Sequence, residues 1–348
     1  MPQHSRTIIL RIIAYNCAFK DASARRMQIE WPPSASIANL QTRARIIKQI
    51  REFFADRNVM EVETPLLCKT SVTDPYIQSI PAFFQIHPDK PAERYYLQTS
   101  PEYAMKRLLA AGSGDIYQLG KSFRQGEVGR FHNPEFTMLE WYRAQFDHHA
   151  LMDEVDSLLQ SILQVPSAER KSYQAIFKDY LAIDPLEASV KDLRAKAAQK
   201  DIAVVGEFSD KDTWLQLLMS EYIEPRVGHD RPCFIYDFPA SQASLARLQQ
   251  TDPRLASRFE VYFRGIELGN GFHELQDAHD QRKRFEKNQT ERQSATLQHM
   301  QIDEFFLAAL AHGLPDCAGV ALGIDRLIML ATDSPNIADI ISFDFTRV

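Results

Sequence analysis

The sequence predicts an α+β fold in which an antiparallel sheet is flanked by helices. Strand-like segments follow one another as hairpins, as in RFEVYFRGIELGNGF (residues 258–272), instead of alternating with helices as βαβ units do. Amphipathic helical segments are grouped around these strands. With 348 residues, 45% hydrophobic and 25% charged, the composition is that of a globular protein.

The first half of the chain supplies two helices and several strands. NLQTRARIIKQIREFFADRN (residues 39–58) has apolar residues at helical spacing and Asn58 as its C-terminal stop, and VMEVETP then forms a short strand closed by Pro65. YYLQTSPEYAMKRLLAAG is a strand that runs into a helix, with Ser100 at the N-cap and Pro101 at the first helical position. DIYQLGKSFRQGE and RFHNPEFTMLEWYR are two further strands joined by a loop.

The second half begins with a mostly helical segment, residues 149–220, in which LMDEVDSLLQSIL is the clearest amphipathic run. CFIYDFP is a strand, and it is followed by the hairpin RFEVYFRGIELGNGF. HDQRKRFEKNQTERQ is a charged surface helix and IDEFFLAALAHG a shorter apolar one. GVALG is the last strand, and IDRLIMLATD is the closing helix.

Charge and cysteine usage exclude several classes of protein. The net charge of −6 argues against a large nucleic-acid-binding surface, and no apolar run approaches the roughly 20 residues that span a bilayer. The four cysteines are scattered without a C-x-x-C pair, so free thiols are favoured over zinc ligands or disulfides.

Residues 1–26 faintly resemble a signal peptide without a clear cleavage site. They are interpreted as an upstream extension, with an ordinary helix or strand as an equal alternative.

The strand that begins at Phe136 carries a carboxylate among apolar side chains. Alternation places Glu140 and Tyr142 on the same face as Phe136, and Leu139 and Trp141 on the other. Both faces hold large apolar groups, so the strand is expected to be covered on both sides. A buried carboxylate is costly unless it is paired, which makes Glu140 a candidate binding residue.

The hairpin brings two further acids together. If Arg264 and Gly265 form a two-residue turn, Tyr262 faces Glu267, and Glu260 lies diagonal to Glu267 on the same face. Such carboxylates can share one Mg²⁺, although two solvated glutamates on an exposed sheet face remain an alternative. Strict alternation turns Asn270 and Glu274 to the opposite face. A bulge within Gly269-Asn270-Gly271 would re-aim them.

GVALGIDRLIML places Arg326 in the first turn of a helix, just after Gly323. An arginine there is unfavourable against the helix dipole unless an anion such as a phosphate sits beside it. The alternative is that Asp325 caps the helix and pairs with Arg326. No G-x-x-x-x-G-K-[ST] phosphate loop occurs in the chain.

Three stretches stand in the order of the class II aminoacyl-tRNA synthetase motifs: the helix–strand unit ending at Pro65, FRQGEVGRFHNPEFTMLEWY, and GVALGIDRL. TSPEYAMKRLL and GIELGNGFHEL resemble the lysyl-tRNA synthetase branch. SASIANL, FPASQASLA and LPDCAGVALG resemble the elongation factor P–lysine ligases, truncated paralogues of that synthetase. The resemblance implies a class II synthetase-like catalytic domain over residues 27–348, without an anticodon-binding domain, after the extension 1–26.

The resemblance also implies roles for individual residues. Arg124 and Arg326 match the catalytic arginines, and Glu260 and Glu267 match the acids that bind Mg²⁺. The positions matching amino-acid contacts are Ser100, Pro101, Glu102, Glu140, Tyr142, Asn270, Glu274 and Ala321. The positions matching ATP contacts are Arg124, Gln125, Gly126, Glu127, His132, Asn133, Phe136, Glu267, Leu268, Gly323 and Arg326. Gly126 stands where the family usually has an acid that meets adenine, so either Glu127 or backbone groups take that role.

The implied activity is ATP-dependent activation of lysine, (R)-β-lysine in particular, as an aminoacyl-adenylate. The acyl group then passes to the ε-amine of a lysine on elongation factor P. ATP is a substrate and Mg²⁺ the cofactor. The family leads us to expect a cytoplasmic homodimer without stable tRNA or membrane binding. Its dimer would form through the first-motif helix, whose apolar face equally suits a core. The alternative functions are activation of a different amino acid and a catalytically silent regulatory paralogue.

Overall fold

The computed structural model describes residues 31–204, 206 and 208–348, so the expected N-terminal extension, residues 1–26, lies outside it. The helices of the described part are α1 (Ile37–Ala55), α2 (Glu102–Ala110), α3 (His148–Leu163), α4 (Tyr173–Leu181), α5 (Val190–Gln199), α6 (Lys211–Leu218), α7 (Ala278–Ser294), α8 (Glu304–Gly313) and α9 (Ile324–Ala331). The strands are β1 (Met60–Glu61), β2 (Leu67–Cys68), β3 (Pro81–Phe84), β4 (Glu93–Leu97), β5 (Ile116–Phe123), β6 (Glu135–Ala144), β7 (Glu169–Ser172), β8 (Cys233–Pro239), β9 (Leu255–Phe263), β10 (Ile266–His273) and β11 (Cys317–Gly323).

Eight strands form the main sheet in the order β1-β5-β6-β11-β10-β9-β8-β7. The six central strands pair antiparallel, and only the short edge strands β1 and β7 run parallel to their neighbours β5 and β8. The α+β prediction with an antiparallel sheet and flanking helices is therefore confirmed. The sequence patterns did not predict the small second sheet, β2-β4-β3.

Local sequence explains most helix starts, because side chains of Ser or Asp accept hydrogen bonds from the first free N–H groups. These N-caps are Ser36, Asp147, Ser172, Ser189, Asp210, Asp277 and Asp303. Helix α2 differs from the expectation by one residue: its N-cap is Pro101 and it begins at Glu102. The Ser100 hydroxyl still accepts a hydrogen bond from the Glu102 N–H, at 3.0 Å.

The two faces of the main sheet have different environments. One face packs against α1, α3 and α9 in the largest apolar core, to which Leu139, Trp141, Val320 and Leu322 contribute from the strands. The apolar face of α1 is buried in that core. Of the two interpretations of this helix, core packing is the one observed. The opposite face of the central strands carries the candidate site residues.

The β9–β10 hairpin has the predicted turn. Arg264 and Gly265 both have positive φ angles, 51° and 72°, and the register pairs Tyr262 with Glu267. The register then shifts between Glu267 and Gly269, so that Asn270 pairs with Glu260. The bulge thus lies just before the predicted stretch, Gly269-Asn270-Gly271. It brings Asn270 to the same face of the sheet as Glu260, which strict alternation would not do.

Asp325 connects three elements at their buried junction. Its carboxylate accepts a hydrogen bond from Arg43 Nη1 on α1 at 2.6 Å and from the Thr137 N–H on β6 at 2.7 Å. Helix α9 has no side-chain N-cap. The alternative in which Asp325 caps this helix and pairs with Arg326 is therefore wrong. Since Asp325 is bound to Arg43, the Arg326 guanidinium is free to extend elsewhere.

Of the cysteines within the described ranges, Cys68, Cys233 and Cys317 are free thiols. In the same part of the chain, no helix combines the length and the apolar character that crossing a membrane requires.

We expect Asp325→Ala to lower the free energy of unfolding by about 3–5 kcal/mol, because it leaves the Arg43 guanidinium buried without its counter-ion. Urea denaturation measures the loss. Asp333→Ala is the matched control, because it removes an exposed ion pair with Arg264 and should change stability little. Equal losses for the two variants would show that the Asp325 junction is not a stabilising contact.

Candidate active site

Residues far apart in sequence form one row across the main sheet. The paired positions run Gln118 (β5), Glu140 (β6), Ala321 (β11), Asn270 (β10) and Glu260 (β9). The antiparallel registers place these side chains on the same face of the sheet. Predicted amino-acid contacts and a predicted metal ligand are therefore neighbours on adjacent strands.

Glu140 is buried, with 2% of its surface exposed, and its carboxyl group has hydroxyl partners only. Tyr142 donates a hydrogen bond to it at 2.6 Å and Ser100 at 3.2 Å. Burial, reinforced by the nearby charge of Glu102, raises the pKa of Glu140 to about 8. Among the described residues no cationic group forms an ion pair with it, so this carboxyl lacks a charge partner.

Lys106 is a pocket residue that was not predicted from the sequence. Its Nζ lies 2.7 Å from Glu102 Oε1 and 2.5 Å from Glu274 Oε2, and the side chain is 1% exposed. Burial opposes the charge of Lys106, but the two carboxylates outweigh burial and raise its pKa. The signal was present in TSPEYAMKRLL, because Lys106 follows Glu102 by four residues and so shares its face of α2.

The charges of the pocket do not balance. When ionised, the carboxylates of Glu102, Glu140 and Glu274 contribute −3, and Lys106 contributes +1, which leaves −2. Burial raises the pKa of Glu274, with Lys106 opposing that effect. A small ligand with two ammonium groups would neutralise this pocket, whereas an anion or an apolar side chain would not.

Gly319 makes room for this arrangement. A Cβ atom at Gly319 would lie 2.2 Å from Tyr142 Cε1 and 2.7 Å from Glu274 Oε1. No larger residue fits unless both side chains move. Because Gly319 on β11 has no side chain, the Tyr142 ring of β6 and the Glu274 carboxylate can lie side by side over this position.

A second group of predicted residues surrounds Arg124. Its guanidinium lies over the Phe136 ring, 5.1 Å from the centroid, and Glu127 Oε1 is 3.6 Å from Arg124 Nη1. Arg124 Nε is buried without a hydrogen-bond partner in the structure. A buried guanidinium N–H without a hydrogen-bond partner beside a half-buried aromatic ring suits a phosphate and a purine ring.

Arg326 points toward the same region from α9. Its Nη1 donates to the Glu267 carbonyl at 2.7 Å, and its Nη2 lies 2.6 Å from His132 Nε2. Burial and the charge of Arg326 lower the pKa of His132. The neutral imidazole can therefore accept this hydrogen bond and orient the guanidinium.

Several predicted ATP-contacting residues in the loop before β6 form hydrogen bonds within the protein. The side-chain amide of Asn133 donates to the Glu135 carbonyl and accepts from the Phe345 N–H, so it holds the C-terminal segment in place. The Gln125 N–H donates to the Gln78 carbonyl, and Gly126 has a φ of 84°. The roles of these three residues toward a nucleotide remain predictions, as do those of Leu268 in the bulge and Gly323 before α9.

Glu260 and Glu267 lie near a third acid, Glu224, that was not predicted from the sequence. The Tyr262 hydroxyl donates to Glu260 and lies 3.4 Å from Glu224 Oε1. Desolvation and the charge of Glu260 raise the pKa of Glu267, and burial with both neighbours raises that of Glu224 to about 7. Glu224 directly follows a π-helical turn, Met219–Ile223. No local sequence pattern there indicates that its side chain lies beside Glu260.

These three acids provide oxygen ligands of the kind that Mg²⁺ prefers, and their mutual repulsion is relieved by a cation. Arg258 offsets part of the charge through a 2.5 Å contact with Glu260. The donor set therefore fits a magnesium ion held by Glu260 and Glu267.

Comparisons with known proteins agree with this geometry. A family model described as class II tRNA synthetases (D, K and N) matches residues 22–347. An elongation factor P–(R)-β-lysine ligase of Vibrio cholerae is 53% identical over 319 residues, which cover 91% of this chain and 98% of that protein. Proteins of the same name from Yersinia enterocolitica and Edwardsiella ictaluri are 54% and 53% identical over 318 residues, with the same coverage.

The family match includes every residue of the pocket described above, and the match to the Vibrio cholerae protein covers 91% of the chain. The chain therefore belongs to the class II tRNA synthetases of the D, K and N group, in the branch that contains the elongation factor P–(R)-β-lysine ligases.

Proposed function

We propose that this chain is an ATP-dependent ligase that activates (R)-β-lysine as an adenylate and transfers it to the ε-amine of a lysine on elongation factor P. The observation that carries the proposal is the buried group of three glutamates, Glu102, Glu140 and Glu274, which among the described residues is paired with one cation, Lys106. Lysine and β-lysine each bring two ammonium groups. The relatives' name supports the acceptor and the β-isomer.

The pocket residues orient the substrate. Glu140 and Glu274, with Tyr142 beside them, receive the side-chain ammonium group. Glu102 receives the other amino group. The substrate carboxylate is then held near the α-phosphate of ATP and attacks it, and pyrophosphate leaves. Arg124 and Arg326 stabilise the charge that develops on the phosphates, while Phe136 stacks on adenine. Bound at Glu260 and Glu267, Mg²⁺ would neutralise phosphate charge.

Transfer requires an unprotonated acceptor amine that attacks the carbonyl of the mixed anhydride and expels AMP. The enzyme supplies no covalent nucleophile for this step. Cys317 is the pocket's neighbouring thiol, and burial, with the charge of Glu274, raises its pKa to about 12. It therefore remains a protonated thiol at neutral pH.

The alternatives have less support. A silent regulatory paralogue has no need for charged groups at the nucleotide end, yet Arg124, Arg326, Glu260 and Glu267 are all present. A different amino acid with one ammonium group would leave a pocket acid without its partner. The homodimer, the cytoplasmic location and the absence of stable tRNA binding remain expectations from the family.

ATP–pyrophosphate exchange with a panel of amino acids tests the proposal. Stimulation by (R)-β-lysine or lysine supports it, and mass spectrometry of elongation factor P should then show one added lysyl group. Stimulation only by another amino acid would support a relative of different specificity. No stimulation by any amino acid would support the silent paralogue.

We expect Arg326→Ala to slow adenylate formation by at least about 100-fold, because a positioned cation on the reacting phosphate is lost. Pyrophosphate exchange at saturating lysine measures the rate. Arg264→Ala serves as the control, because this arginine lies at the exposed hairpin turn. An unchanged rate in Arg326→Ala would contradict the assigned role.

Substrate binding should release protons at pH 7. Because the pKa of Glu140 is about 8, the empty pocket holds this group mostly protonated, and an incoming ammonium favours the carboxylate. Burial raises the pKa of Glu274 to about 8 as well, so both carboxyl groups can release a proton, and we expect the release to decline as the pH rises through 8. Calorimetry in buffers of different ionisation enthalpy measures it.

Glu140→Gln should lower this release and weaken (R)-β-lysine binding while ATP binding persists. Proton release in Glu140→Gln equal to that of the unsubstituted chain would show that Glu140 does not titrate on binding.

A further inference from the structure

A second cluster of ionisable side chains lies where α3 begins. His148 and His149 are the first two residues of α3, and Asp237 lies on β8. A register irregularity between Tyr236 and Phe238 turns Asp237 toward the helix. None of these three residues takes part in the ligase chemistry described above.

The three side chains are close enough to share one ion. One ligand atom from each residue lies within 4.8 Å of the others. The distance from His148 Nε2 to Asp237 Oδ1 is 3.2 Å. Ligands of a tetrahedral zinc ion at bond lengths of about 2.0–2.1 Å are separated by about 3.3 Å, so a small inward shift of His149 completes a coordination geometry.

The nitrogen of His148 that faces the cluster is Nε2, and an ion would replace its hydrogen bond with Asp237 Oδ1. The other hydrogen bond described for Asp237, from Gln249, also falls on Oδ1, so Oδ2 can serve as the ligand. His149 is exposed and contacts His148 and Tyr236 through ring packing, without a described hydrogen bond.

The carboxylates of Asp147 and Asp237 offset the charge of a divalent ion. Asp147 is the N-cap of α3.

We propose that His148, His149 and Asp237 form a binding site for a divalent transition-metal ion of the zinc class, with water in the remaining coordination position. Two imidazoles and one carboxylate favour such ions over Mg²⁺ and Ca²⁺, which take oxygen ligands. The exposed His149 gives the ion a path from solvent. The bound ion would join the start of α3, which packs on the main sheet, to β8, a strand of that sheet.

Titration of the metal-stripped full chain with Co²⁺, followed by displacement with Zn²⁺, tests the site. We expect one equivalent of Co²⁺ to give the intense visible absorption of a low-coordinate site with nitrogen ligands, and Zn²⁺ to abolish it. His149→Ala and Asp237→Asn should each weaken binding by at least about tenfold. Zn²⁺ should raise the melting temperature of the unsubstituted protein but not that of His149→Ala or Asp237→Asn.

The matched control is His87→Ala, because His87 and Asp89 form an exposed pair with a single imidazole. It should bind Co²⁺ as tightly as the unsubstituted chain. Lysine-dependent pyrophosphate exchange by His149→Ala should be unchanged, which shows that the variant is folded. Equal affinity of the unsubstituted chain and His149→Ala, or absorption typical of oxygen-only octahedral Co²⁺, would overturn the proposal. The His148–Asp237 contact would then be a hydrogen bond alone.

Discussion

The structure depends on three carboxylates that meet beside the main sheet: Glu140 on β6, Glu274 just after β10, and the half-buried Glu102 on α2. Glu140 and Glu274 are 2% and 1% exposed, so water cannot solvate them there. Among the described residues, Lys106 is the cation paired with this group. It fixes the positions of Glu102 and Glu274, whereas Glu140 accepts hydrogen bonds from the Tyr142 and Ser100 hydroxyl groups. Under the proposed function, a substrate with two ammonium groups would supply the missing positive charge.

The backbone brings these groups together through strand register. Glu140 and Glu260 belong to distant parts of the chain, but the pairings of β6, β11, β10 and β9 place them in one row. The register shift after Glu267 sets the face of the sheet on which Asn270 lies. The one added residue therefore determines whether the Asn270 side chain lies beside Glu260 or on the opposite face. Gly319 then allows Tyr142 and Glu274 to approach β11 closely. The amino-acid end and the nucleotide end are thus fixed by the same sheet.

Sequence patterns predicted what depends on local periodicity. The alternation around Glu140, the Arg264-Gly265 turn and the pairing of Tyr262 with Glu267 follow from period-two geometry and turn chemistry, and the structure has all three. Contacts between residues that are distant in sequence could not be predicted from local patterns. The bond between Arg43 and Asp325 joins residues 282 positions apart, and Glu224 reaches the metal-site acids from a helical insert. The alternative pairing of Asp325 with Arg326 used sequence proximity, which the fold overrode. Lys106 was an exception, because its i, i+4 spacing from Glu102 carried a readable signal.

Charge, more than shape, accounts for the selectivity of such a pocket. Small differences in shape, such as the methyl group of Ala321 or the hydroxyl of Ser100, typically change discrimination by only about 1–3 kcal/mol. Since the pKa of Glu140 is about 8, ionising it at pH 7 costs only about 1.4 kcal/mol. A charge-assisted hydrogen bond from an ammonium group exceeds that cost. An amino acid with a neutral side chain leaves Glu140 protonated and forfeits that bond. It also leaves the Glu102–Lys106–Glu274 group with its remaining negative charge buried. Under the proposed function, the second ammonium group of the substrate would account for the discrimination.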